Sequence, residues 1–141
     1  METLIQHHEV IAIFIVRIIL GILFFYQGYD IVFNLKINTV IETYEVSFAN
    51  KGIPKFITRC GAWFTSYSEL ICGFLLIFGL FEYVALYILG INLIFASLAF
   101  SINTPMWNTQ HVFSRLTLLL ILLLTPTSWH MYSIDYLLFK N

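Results

Sequence analysis

Residues 10–33 read VIAIFIVRIILGILFFYQGYDIVF, an apolar run whose only charged groups are Arg17 and Asp30. It exceeds the ~20 residues that a helix needs to cross ~30 Å of hydrocarbon. Water is absent there, so the backbone must satisfy its own hydrogen bonds, and a helix does this within one segment. Working outward, three more apolar runs cover 60–80, 83–102 and 112–129. The expectation is therefore an all-α fold, an integral membrane four-helix bundle forming a single membrane domain over residues 1–141. Composition agrees: 60% of the residues are hydrophobic and 11% charged, against roughly 45–50% and about 25% in soluble domains. A formal net charge of -1 offers no field for nucleic acid.

The first nine residues hold no Lys or Arg, and no small-x-small cleavage site follows the run behind them, so the first helix is expected to be retained. Cys60 and Cys72 would stand about 18 Å apart on one helix, too far for a disulfide. No C-x-x-C pair of the kind that thiol-redox membrane enzymes need is present.

The runs at 60–80 and 83–102 are separated by Phe81 and Glu82 alone, which predicts an antiparallel hairpin. Asn103, Pro105 and Asn108 mark a turn before the fourth run. The long connection after the first run is not featureless. Ile37, Val40, Ile41, Tyr44 and Phe48 recur at helical spacing, with Asn38, Glu42, Glu45 and Ser47 on the other face. This predicts an amphipathic interfacial helix over 39–51, between the first and second transmembrane helices. Thr39 and Glu42 fit a capping box at its start, and Gly52 and Pro54 a stop at its end. Trp107, Trp129, Tyr132 and Tyr136 suit an aromatic belt. Lys36, Lys51, Lys55, Arg59 and Arg115 fall on one side and Lys140 on the other, so the positive-inside rule puts the long connection in the cytoplasm and both termini outside.

The informative residues are the polar ones within apolar runs, because a charge at mid-helix costs ~2.5–3.5 kcal/mol or more and so faces protein or a cavity. Arg17 shares a stripe with Gly21, Phe24 and Gly28. Glu69 shares one with Gly61, Thr65 and Gly73, and Asn92 one with Ala85, Ala96 and Ala99. Small residues beside a polar one suit close helix packing, which marks Gly21, Gly28 and Gly73 as packing glycines. Counted along the helices at ~1.5 Å per residue, Arg17, Glu69 and Asn92 reach similar depths. The expectation is a buried polar cluster of Arg17, Glu69 and Asn92, with Arg17 and Glu69 as an ion pair. Its role is either to fix helix pairing or to act as a proton relay or quinone-binding group. Asp30, with Arg59 or Lys36, is expected to form an interfacial salt bridge. His111 and His130 lie about 28 Å apart along a helix and cannot share a haem iron. His7, His8 and His130 could meet only at one end, and no metal site is expected.

Together these residues resemble the DoxX family of small four-helix membrane proteins. The resemblance runs through Arg17-Ile18-Ile19-Leu20-Gly21, Phe24, Phe25 and Gly28, then Gly52-Ile53-Pro54, the stretch from Glu69 to Leu80, and the Ser133-Ile134-Asp135 ending. Where that family often has a lysine after the glycine corresponding to Gly28, this chain has Asp30 and Ile31, so no role of that lysine carries over. The resemblance implies an integral membrane accessory subunit of a redox-associated complex in a bacterial-type cytoplasmic (inner) membrane, with quinone as the one cofactor class in view. It also implies a protein partner or homo-oligomer within the lipid bilayer, and no catalysis by this chain alone. The alternative is a non-enzymatic structural or assembly subunit of a larger cell-envelope complex. Small-solute or proton transport ranks third, since four helices without an internal repeat make a thin pathway.

Overall fold

The computed structural model describes residues 7–103 and 110–139. Every regular element among them is helical. The expectations resting on Pro105, Trp107, Asn108 and Lys140, and on the side chains of Asn103 and His111, lie outside the described residues.

Helix α1, His8–Tyr29, runs on into a wider π turn, Asp30–Leu35, and the chain breaks at Lys36 with φ 60°. Helix α2, Ile37–Phe48, follows and tightens into a 3-10 turn, Ala49–Lys51, which ends where Gly52 adopts φ 69°. The capping box expected at Thr39 does not form. The helix starts two residues earlier, the Thr39 N–H donates to the Lys36 carbonyl at 3.0 Å, and no side chain caps the end. The expected stop at Gly52 and Pro54 is where the chain turns: Gly52 takes the left-handed conformation and Pro54, extended, precedes helix α3, Lys55–Phe78. Helix α3 thus begins five residues before the hydropathic run at 60–80. Pro54 lacks an N–H and suits a helix entrance, so the helix includes the charged turn carrying Lys55 and Arg59.

Helix α3 ends in a Schellman motif. Gly79 adopts φ 67°, its N–H reaches the Leu76 carbonyl at 3.1 Å, and the Leu80 N–H reaches the Leu75 carbonyl at 2.9 Å. Helix α4, Glu82–Asn103, follows after this tight turn, and helix α5, Gln110–Leu124, comes next. The helix expected to reach residue 129 stops at Leu124, because Pro126 cannot continue it and biases Thr125 away from helical backbone. A 3-10 turn, Thr127–Trp129, and a short helix α6, Ile134–Phe139, complete the described chain.

Three stretches, His8–Leu35, Lys55–Phe78 and Glu82–Ile102, are long and apolar enough to cross a membrane. Helix α5 is shorter, its 15 residues extending roughly 22 Å at ~1.5 Å per residue. Outward faces carry Phe14, Ile19, Phe74, Tyr87, Ile94 and Phe113, all exposed. Such continuous apolar surface needs lipid or protein against it.

The core holds Leu20, Phe24, Leu76, Leu86, Leu89, Leu119 and Leu122, each at most 2% exposed. Helices α1 and α3 approach backbone to backbone. A Cβ on Gly28 would lie 2.7 Å from the Leu70 Cα, and one on Gly73 would lie 2.8 Å from the Phe25 Cα and 3.0 Å from the Gly21 carbonyl oxygen. A Cβ on Gly21 would lie 3.0 Å from the Ile77 amide nitrogen. This crossing brings Gln27 of α1 beside Glu69 of α3.

Candidate functional site

Two buried polar clusters lie at different levels of the bundle. In the first, Glu69 of α3 and Asn92 of α4 are 5% and 1% exposed. One carboxylate oxygen, Glu69 Oε1, accepts from Gln27 Nε2 at 3.1 Å and from Asn92 Nδ2 at 3.3 Å. Asn92 Nδ2 is also 3.1 Å from Ser68 Oγ and 3.4 Å from the Thr65 carbonyl. Among the described residues, Glu69 Oε2 and Asn92 Oδ1 have no hydrogen-bond partner although both are buried. The half-buried Arg115 guanidinium of α5 is the cation that acts electrostatically on Glu69, and it also lies 5.1 Å from the Phe24 ring centre.

Gln27, Glu69 and Asn92 are among the residues lining a cavity of about 210 Å³ between α1, α2, α3 and α4. Its walls are mainly apolar, with Phe48, Ile57, Ala96 and Phe100 among them, and Tyr44 of α2 contributes a hydroxyl. Burial, and then the charge of Glu69, push the Tyr44 hydroxyl above the usual tyrosine value, so it keeps its proton. Beside it, Lys51 Nζ donates to the carbonyl of Ile102, a lining residue at the last turn of α4.

The second cluster lies where α1 begins, α3 ends and α4 starts. Arg17 and Glu82, each 2% exposed, form an ion pair with Nη1 to Oε2 at 3.2 Å. The other oxygen, Glu82 Oε1, faces His130 Nδ1 at 2.6 Å, so that nitrogen carries the proton it donates. His130 Nε2 meets Thr125 Oγ1 at 3.0 Å, and Arg17 Nη2 donates to the Tyr132 carbonyl. Asp135 caps α4, accepting from the Phe81 and Glu82 N–H groups at 2.8 Å each. Its own N–H donates to the Gly79 carbonyl at 3.0 Å. The network therefore binds the tail after α5 to the α3–α4 turn. An open cleft of about 450 Å³ lies beside it, lined in part by Tyr83, His130 and Asp135.

The expected pairing is corrected in two places. Arg17 is paired with Glu82 rather than Glu69, because its long side chain points back toward the start of α1. Glu69 is held instead by Gln27 and Asn92. Asp30 does not meet Arg59: Asp30 accepts from Asn34 Nδ2 at 2.8 Å, one turn on. Arg59 and Lys55 both approach Glu45 of α2, at 3.5 and 3.6 Å.

Sequence reasoning missed Glu82, Gln27 and the structural part played by His130. The available signal was a glutamate in a two-residue link, at the helix end nearest Arg17. His130 is engaged by Glu82 and Thr125, His8 lies 3.9 Å from Glu9, and no group of three or more metal-binding side chains occurs among the described residues. Cys60 is exposed and Cys72 buried on the same helix.

No curated protein and no solved structure matches this chain. A family model does, that of DoxX, over residues 12–102. The match runs from α1 to the end of α4 and so includes Arg17, Gln27, Glu69, Glu82 and Asn92, while His130 and Asp135 lie beyond it. With more than half of its length matched by that model, the chain belongs to the DoxX family.

Proposed function

We propose that this DoxX-family protein is an integral membrane accessory subunit of a redox-associated complex, and that it holds a quinone-class ligand between α1, α2, α3 and α4. The observation that carries this reading is the cavity of about 210 Å³, apolar in its walls and polar at its floor. A lipid-soluble ring with oxygen substituents has that same division of polarity. A dry cavity of roughly 150 Å³ already holds benzene, so the volume suits one substituted ring and no larger polycyclic ligand.

In this reading α5 is the fourth membrane crossing, shortened relative to the others, and α2 lies at the membrane interface. The membrane is a bacterial-type cytoplasmic (inner) membrane. Lys36, Lys51, Lys55 and Arg59 gather at the α2 end, which the positive-inside rule assigns to the cytoplasm, with both termini outward. Arg115 weighs little in that count because its half-buried guanidinium lies over the Phe24 ring. The exposed apolar faces then meet lipid and a protein partner or a second copy.

Affinity purification from native membranes tests this: a quinone extracted with the protein and a co-purifying redox partner are expected. A second reading, a non-enzymatic structural or assembly subunit, draws on the Arg17–Glu82–His130 network, which ties helices together. Recovery in a large assembly with neither quinone nor redox subunit would favour it.

A further inference from the structure

Where the cavity beside Glu69 and Asn92 opens decides which phase its ligand comes from. It is not a closed void, and a mouth is rimmed by residues that both line it and reach the outside. The lining residues that precede α3, namely Gln27, Ile31, Tyr44, Phe48 and Ile53, are half-buried or buried. Those that are exposed lie on two helices: Ile57 and Gly61 on α3, and Phe95, Phe100 and Ile102 on α4. The mouth therefore lies between α3 and α4. Gly61 differs from the glycines that pack α1 on α3. A Cβ there meets nothing within 4 Å, so its missing side chain leaves a gap in the rim. Gly61 lies six residues beyond Lys55, about 9 Å along α3 and past the charged turn. Beyond the gap, Phe64 of α3 stands edge-on to Phe95 of α4 with ring centres 6.0 Å apart, and the two helices are joined there.

The exposed part of this rim is hydrocarbon. Its members are Ile, Phe and Gly, while the side chains of the lining that carry amide or ionisable groups, Gln27, Tyr44, Glu69 and Asn92, are half-buried or buried. Such a rim is costly against water and costs nothing against acyl chains. Both helices are long and apolar enough to cross a membrane, so a gap between them faces lipid. Resting on the quinone-linked reading above, we infer that the ligand enters this cavity sideways from the bilayer, through the α3–α4 gap at Gly61, and leaves its hydrocarbon tail lying in that gap. The volume of about 210 Å³ takes the ring, and the tail runs out past Ile57, Gly61 and Phe95. A side chain added at Gly61 takes the place of the tail without touching the α1–α3 crossing.

The test uses the full chain in lipid nanodiscs and a benzoquinone whose decyl tail carries a diazirine at its middle. Photolysis is expected to attach the tail to Ile57, Gly61 or Phe95, as mapped by peptide mass spectrometry, and excess plain decyl benzoquinone should suppress that attachment. Gly61→Phe should weaken binding of decyl benzoquinone by roughly tenfold or more. Cys60→Phe, which adds the same group at the neighbouring exposed position outside the cavity lining, should leave binding near the wild-type value. If Gly61→Phe does not fold, photolabelling of the wild-type chain alone decides. Attachment to Tyr44 or Phe48 instead, or equal affinity in the two variants, overturns the lateral route while leaving a quinone-class site intact. Labelling that the plain quinone suppresses nowhere overturns the quinone-linked reading itself.

Discussion

Glu82 shows how little a residue's neighbours in sequence reveal about its work. It sits in a two-residue link between apolar helices, a position that suggests solvent, yet its carboxylate is buried between Arg17 and His130. Removing one partner of a buried ion pair strands the other charge and costs about 3–5 kcal/mol. Glu82→Gln should therefore lower the thermal unfolding midpoint in detergent sharply. Glu69→Gln should lower it much less, since Arg17 keeps its partner, and equal losses would contradict the assignment. Arg17, Glu69 and Asn92 stood out in the sequence because polar groups within apolar helices are expensive. Which carboxylate Arg17 meets was not legible there, since the direction of a long side chain is set by its rotamer and by the packing of neighbouring helices. The backbone at Phe81, with φ 47°, is held by the same local bonds, as its N–H donates to Asp135. Asp135→Ala removes two acceptors from the start of α4 and should cost about 0.5–2 kcal/mol, with partial recovery in Asp135→Asn, as read by chemical or thermal denaturation.

Helices α1 and α3 show what small residues accomplish at the scale of the element. Three glycines let the two backbones touch, and this contact brings Gln27 within reach of Glu69. Gly28→Val places side-chain carbons where the Leu70 backbone already stands, so a loss of about 1–3 kcal/mol is expected together with displacement of Gln27. Gly61→Ala is the matching control: a Cβ there meets nothing within 4 Å, and the gain in helix propensity should stabilise α3 by up to about 1 kcal/mol. Unfolding of the two variants side by side checks the contrast, and equal effects would argue against the close crossing. The glycine spacing was legible in the sequence. The start of α3 was not, because hydropathy ends a segment at its charges, whereas the chain ends its turn at Pro54 and carries Lys55 and Arg59 into the helix. Helix α5 erred the other way: apolar composition continues past Leu124, but Pro126 stops the hydrogen-bond ladder.

Across the described residues, the arrangement separates a mainly apolar cavity near the α2 end from the ion network of Arg17, Glu82 and His130. If α5 is the fourth crossing, reporters fused to the N- and C-termini will appear on the same side of the membrane. Opposite sides would mean that α5 lies within the bundle without crossing. The amino-acid sequence by itself determined the all-α class, the membrane environment and the burial of Arg17, Glu69 and Asn92. Each follows from the cost of exposing apolar surface to water or polar groups to hydrocarbon, and such costs are read residue by residue. Only the tertiary structure decided that Glu82 stands between Arg17 and His130, and that Gln27 and Asn92 hold one oxygen of Glu69. Those choices depend on where side chains from α1, α3, α4 and the segment after α5 converge, and that is a property of the packed bundle.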